Sequence, residues 1–259
     1  MVDPTRGVLY PERLPTFHRM APTGAGAELV EWFWIPEWRL SADEVSRQYI
    51  VGYPAVNLVV EYDGVTVSGA TTRASFRDLR GEGWAVGALL RPAAVGALLE
   101  DPAALVDGVR SFPAPELYDA VAEAMRSGGG HRERATEAFG AWLTERVGAL
   151  DDAAHQANAL AVELMGGHGA TSPEEAATRM AVSVRTLQRM AHRYVGVAPA
   201  AMIRRRRLQE AAQRVRDDPG VDLAGLAAEL GYADHAHLTR DFRAVLGFAP
   251  RDYRSDAGG

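Results

Sequence analysis

The sequence predicts an α+β chain: a β-rich N-terminal part with helices, followed by an all-α part built from two helix-turn-helix units. Three observations carry that expectation. Short β-branched and aromatic runs crowd the first third of the chain. Helical periodicity takes over after "SFPAPE" (111–116). The stretch "AATRMAVSVRTLQRMAHRYVGVAP" (176–199) is then echoed 51 positions later by "AAELGYADHAHLTRDFRAVLGFAP" (227–250).

In chain order, "WFWIP" (32–36), "VNLVVEY" (56–62) and "VTVSG" (65–69) have strand composition. Asp63-Gly64 between the last two predicts a two-residue type I′ hairpin. "GWAVGALLRPAAVGALL" predicts a strand running into a short helix with Pro92 in its first turn. Leu117, Val121 and Met125 share one helical face, and "SGGG" (127–130) ends that helix. Amphipathic helices follow over 131–146 and 152–165, with a hinge at "GGHG" (166–169). The expected organisation is a regulatory domain at 1–128, a helical bridge and linker at 129–169, and a double helix-turn-helix domain at 170–259.

Within the repeat, Leu187/Leu238, Arg189/Arg240, Gly196/Gly247 and Pro199/Pro250 coincide, as do Ala176/Ala227 and Ala177/Ala228. Ser183 overlays Asp234, and both residue types cap helix N-termini well. Each copy therefore predicts a short helix, a tight turn, an N-cap, a second helix and a glycine stop. Met180 takes the turn position that Gly231 holds in the second copy.

The composition is that of a globular protein, with 47% apolar and 24% charged residues. No apolar run is long enough to span a bilayer, and "MVDPTRGVLYPERLP" lacks a secretory apolar core, so the expected location is cytoplasmic, away from membranes. With no cysteine, disulfides, thiolate metal sites and cysteine nucleophiles are excluded, including the acceptor an alkyl-transfer repair protein needs. His18 is the one histidine before residue 131, too few for a cupin-type metal site, and no cofactor or enzymatic activity is expected.

Charge is unevenly distributed. Residues 1–166 carry 14 arginines against 23 acids, and residues 167–259 carry 14 against 11. Between 185 and 216 there are nine arginines and one acid, Glu210. A basic segment on an acidic chain points to a polyanionic partner.

In the second helix of the first unit, Leu187, Met190, Ala191 and Tyr194 form the apolar stripe, leaving Arg185, Gln188, Arg189 and His192 outward. In the second unit Leu238, Phe242 and Val245 face in, leaving Ala236, Thr239, Arg240 and Arg243 outward. Exposed Arg and Gln are usually just a solvated face. Two matched copies in tandem favour base-edge contacts in successive major grooves of double-stranded DNA. Arg193, Arg204, Arg205, His237 and Arg243 are the expected phosphate contacts. Arg204 to Arg207 point all round the connecting helix and cannot share one partner, and Arg206 is placed to pair with Glu210.

Residues 170–254 resemble the DNA-binding domain of the AraC/XylS family of bacterial transcription regulators, most specifically in "SVRTLQR…VGVAP" and "LGYADHAHLTRDFRAVLGFAPRDYR". The resemblance implies seven helices, two helix-turn-helix units joined by a long helix, and promoter DNA as partner. It implies base reading by Arg185, Gln188, Arg189, Ala236, Thr239 and Arg240; Ala236 departs from the family in lacking a long polar side chain. "YPERLPTFHRMAP…ELVEWFWIPEW", "YPAVNLVVEYDG" and "GALLRPAAVGALL" resemble the sensory half of some of these regulators. That implies a cupin-like fold serving effector sensing or homodimerisation, with RNA polymerase as a further partner if the protein is an activator. Trp32, Trp34 and Trp38 are either pocket walls for a small-molecule effector or core anchors. A helix-turn-helix protein governed by a protein partner is the alternative function.

Overall fold

The computed structural model describes residues 16–50, 54–73, 75–166, 169–218, 220–247 and 249–250. Six strands form one antiparallel sheet: β1 (Thr16–Met20), β2 (Val30–Arg39), β4 (Asn57–Glu61), β5 (Gly64–Ser68), β7 (Glu82–Leu90) and β8 (Val109–Ser111), ordered β1-β2-β7-β4-β5-β8. Strands β3 (Val45–Ile50) and β6 (Ser75–Arg80) pair separately. The predicted hairpin joins β4 to β5, but its tip is Tyr62-Asp63, one residue earlier than expected, and Glu61 pairs with Gly64. Neither tip residue has the positive φ a type I′ turn demands, so the turn type is corrected.

One face of the sheet builds the first core. Phe33, Ile35, Leu58, Val60 and Val86 meet Leu117 and Val121 of α2 (Pro115–Arg126) and Ala135, Phe139 and Leu143 of α3 (His131–Val147). The Phe33 and Phe139 rings lie 5.5 Å apart, both fully buried. The tryptophans of β2 point the other way, as alternation requires. Trp34 lies on Gly87 and donates Nε1–H to Asn57 Oδ1 at 3.1 Å; Trp38 lies on Gly83 and donates to Arg80 O at 3.1 Å. These two indoles cover neighbouring strands, whereas Trp32 lines a cleft beside the helices. The three are not brought to one pocket.

The expected bridge divides between two hydrophobic cores. Helix α3 belongs to the sheet core, whereas α4 (Asp152–Met165) puts Ala157, Leu160 and Leu164 into a second core with the first helix-turn-helix unit. Gly166 and Gly169 flank the expected hinge, whose residues 167–168 lie outside those described.

The C-terminal part contains α5 (Pro173–Arg179), α6 (Val184–Tyr194), α7 (Pro199–Asp217), α8 (Leu223–Glu229) and α9 (His235–Leu246). With α4 these make six helices; residues 251–259, where the expected seventh falls, lie outside those described. The caps form as the sequence predicts: Ser183 Oγ accepts from Thr186 N at 3.1 Å, and Asp234 Oδ1 from His237 N at 2.6 Å.

The repeat slips by one residue inside its turn. Val182 N bonds Ala177 O, and Tyr232 N bonds Ala227 O, so the first helices and turns correspond at a spacing of 50. The caps and second helices correspond at 51. The overlay of Ala176 on Ala227 and Ala177 on Ala228 is thus corrected, and the left-handed residue of the first turn is Ala181 (φ 52°), not Met180. Its counterpart is Gly231 (φ 72°). Alanine strains in that region where glycine does not. Ala181→Gly is expected to raise the unfolding free energy by about 0.5–1 kcal/mol, seen as a higher urea midpoint at constant slope; a lower midpoint would contradict the assignment.

Candidate nucleic-acid interface

Helix α6 buries Leu187, Met190, Ala191 and Tyr194 and leaves Arg185, Gln188, Arg189, His192 and Arg193 exposed. Helix α9 buries Leu238, Phe242, Val245 and Leu246 and exposes Ala236, Arg240 and Arg243. Thr239 is half-buried, its Oγ1 3.3 Å from His235 Nε2. His237 is also half-buried and meets the Tyr232 ring edge-on at 5.1 Å. The Arg193 guanidinium lies 5.2 Å from the Tyr194 ring centroid, which steers it along the helix. The outward set of α6 is thus open, and that of α9 is open apart from Thr239.

The arginine run of α7 behaves differently. Arg204 makes a two-pronged pair with Asp241 of α9, at 2.9 Å for both bonds. Arg205 is 3% exposed and donates to Thr71 Oγ1 at 3.3 Å and Arg73 O at 3.1 Å, in the loop between β5 and β6. Arg206 is 5% exposed and donates to Leu164 O, Gly166 O and Ala170 O at 3.3, 3.3 and 2.7 Å. Arg207 reaches Thr171 O at 2.5 Å and Gly231 O at 3.3 Å. Four consecutive side chains separated by about 100° each thus tie α7 to four different places.

This corrects one of the expected phosphate contacts. Arg205 is enclosed between the domains and does not reach a phosphate in this arrangement. Arg204 stays about half exposed beside Asp241. Arg206, by contrast, is turned inward onto backbone carbonyls instead of lying on the helix surface where a pair with Glu210 was expected. Burial pulls the Arg205 pKa down to about 10, partly offset by the nearby Asp107 carboxylate, so the side chain stays charged at neutral pH. Asp107 itself accepts from Thr72 N at 2.8 Å and from the Thr72 hydroxyl. Burial acts to raise its pKa, but these bonds with Arg73 and Arg205 bring the net value below the usual carboxylate range.

A seam that the sequence did not disclose joins the sheet domain to the base of α6. Gly96 in α1 (Pro92–Leu98) lies under the Tyr194 ring, where a Cβ would come within 2.5 Å of the ring. Gly196 (φ +91°) sits against the backbone of Pro102 and Ala103, where a Cβ would come within 2.8–2.9 Å of them. Asn158 of α4 crosses the same seam, accepting from Ala93 N at 3.0 Å and donating to Glu28 O at 2.8 Å. A glycine within "PAAVGALL" was the one sequence signal of such close approach. Among the described residues, no three His, Asp or Glu side chains are gathered to hold a metal ion.

Residues 176–256 match the family described as "Helix-turn-helix domain", and residues 18–109 match "Domain of unknown function (DUF6597)". Over 85 residues the chain is 34% identical to the HTH-type transcriptional activator RhaS of Escherichia fergusonii, a match covering 33% of this chain and 30% of that protein. The chain thus spans less than a third of the length of this curated relative. Among solved structures, ToxT from Vibrio cholerae O395 aligns over 94% of this chain and 97% of its own, at 11% identity and a TM-score of 0.38. The transcriptional regulator CdpR from Pseudomonas aeruginosa aligns over 68% and 47%, at 20% identity and a TM-score of 0.34.

Replacing Arg205 by methionine leaves Thr71 and Arg73 acceptors unpaired and should lower unfolding free energy by roughly 1–3 kcal/mol, with the salt dependence of nucleic-acid binding unchanged. Arg193→Ala should instead flatten that dependence by about one unit of slope. A flattened slope in Arg205→Met would place that guanidinium on a phosphate after all.

Proposed function

We propose that this chain, whose C-terminal domain belongs to the AraC/XylS family of helix-turn-helix regulators, binds promoter DNA in a sequence-specific way and thereby regulates transcription. The observation that carries the reading is the pair of capped helices, α6 and α9, with open polar faces, in two units that both pack against the 19-residue α7.

Within this reading, Arg185, Gln188 and Arg189 contact base edges from α6, and Arg240 and Thr239 from α9. Ala236 offers only a methyl group, suited to apolar contact with thymine. Arg193, Arg243 and His237 hold phosphates and set register. The N-terminal half modulates binding by fixing the orientation of the first unit, and a small-molecule effector acts through that half.

Selection from random double-stranded DNA should recover one preferred sequence. Against it, Arg189→Ala and Arg240→Ala should each lose about 1–3 kcal/mol of affinity, with relaxed preference at separate base positions. Enrichment of no sequence would overturn the proposal.

A further inference from the structure

A cleft of about 190 Å³ opens at the seam between the domains. Its walls include Trp32 of β2, Val95 of α1, Met165 of α4, Tyr194 of α6 and Met202 of α7. All five are apolar or aromatic, and a cleft with such walls accepts apolar solutes. An apolar cavity of about 150 Å³ takes a benzene ring, so this cleft accommodates a ring with a short substituent.

The polar part of the lining is equally definite. Arg91 Nη2 and Glu31 Oε2 form an ion pair at 3.0 Å. The Arg91 Nε–H is buried without an acceptor, so the guanidinium keeps donor capacity beyond that pair. Asn158 is already committed to Ala93 N and Glu28 O. Because Glu31 neutralises Arg91, an anionic ligand would gain little from the arginine and would be repelled by the carboxylate. A hydroxyl does better, since it accepts from the guanidinium and donates to the carboxylate.

We infer that this cleft binds a small uncharged aromatic molecule bearing one hydroxyl, held between the sheet domain and the first helix-turn-helix unit. Occupancy adds apolar contact across the seam and favours the packed arrangement of the two halves. This assigns a site and a ligand class to the effector, and in that respect it rests on the proposed regulatory function.

The test is calorimetric titration of the full chain without DNA, using 4-ethylphenol as the uncharged probe and 4-ethylbenzoate as its anionic counterpart. The expected result is saturable one-to-one binding of the phenol, with the benzoate weaker by about tenfold or more. Ala161→Phe, a substitution in the cleft wall, should abolish phenol binding. Glu31→Gln, at a partly exposed position, should bring the two probes within about threefold of each other. Absence of saturable phenol binding, tighter binding of the benzoate, or wild-type binding by Ala161→Phe would overturn the inference. Operator affinity measured separately distinguishes the two claims. Operator binding without phenol binding sinks the cleft site alone; phenol binding without any operator binding sinks the regulatory reading alone.

Discussion

A guanidinium taken out of water must find oxygen acceptors, and the organisation of this chain follows from where α7 finds them. Arg205 and Arg206 are nearly inaccessible, at 3% and 5% exposure. Such charges are tolerated only when hydrogen-bonded. Arg206 meets the requirement with carbonyls at the end of α4, Leu164 O and Gly166 O, and at the start of the next unit, Ala170 O. The last carbonyls of a helix have no partner within it and carry its negative dipole end, so a cation there is doubly favoured. Arg205 meets it with the Thr71–Arg73 loop, which Asp107 in turn laces to the turn before β8. Helix α7 is thereby fastened to the sheet domain and to α4.

The two helix-turn-helix units consequently differ in their attachments. The first shares its core with α4 and with Ala70 of the sheet domain, and its Tyr194 rests on Gly96. The second has its own core, drawn among the described residues from 208–246. It is joined to the rest by α7 itself, by the Arg204–Asp241 pair and by the Arg207 bond to Gly231 O. Helix α6 is thus packed on the N-terminal part, while α9 is held by α7.

Much of this was legible in the sequence, because it is local. The α+β class follows from period and composition, the caps Ser183 and Asp234 from residue type, and the outward faces of α6 and α9 from 3.6-residue spacing. What escaped is tertiary. The one-residue slip at Ala181 is hidden because alanine pairs match at the neighbouring offset as well. The arginine run announces its charge but not its acceptors, and most of those are backbone oxygens that no side-chain pattern reveals. Trp32, Trp34 and Trp38 share a face by alternation, yet glycines across the strand absorb two of them.

The first unit packs with the sheet domain, and the second stands on a core of its own. Native-state hydrogen exchange on the full chain tests it most directly. Amides of α4 and α6 should open together with the central strands β2 and β7, at the highest free energy, while α8 and α9 open in a separate unit at a lower one. Joint opening of α6 with α9, at a free energy apart from that of the sheet, would contradict it.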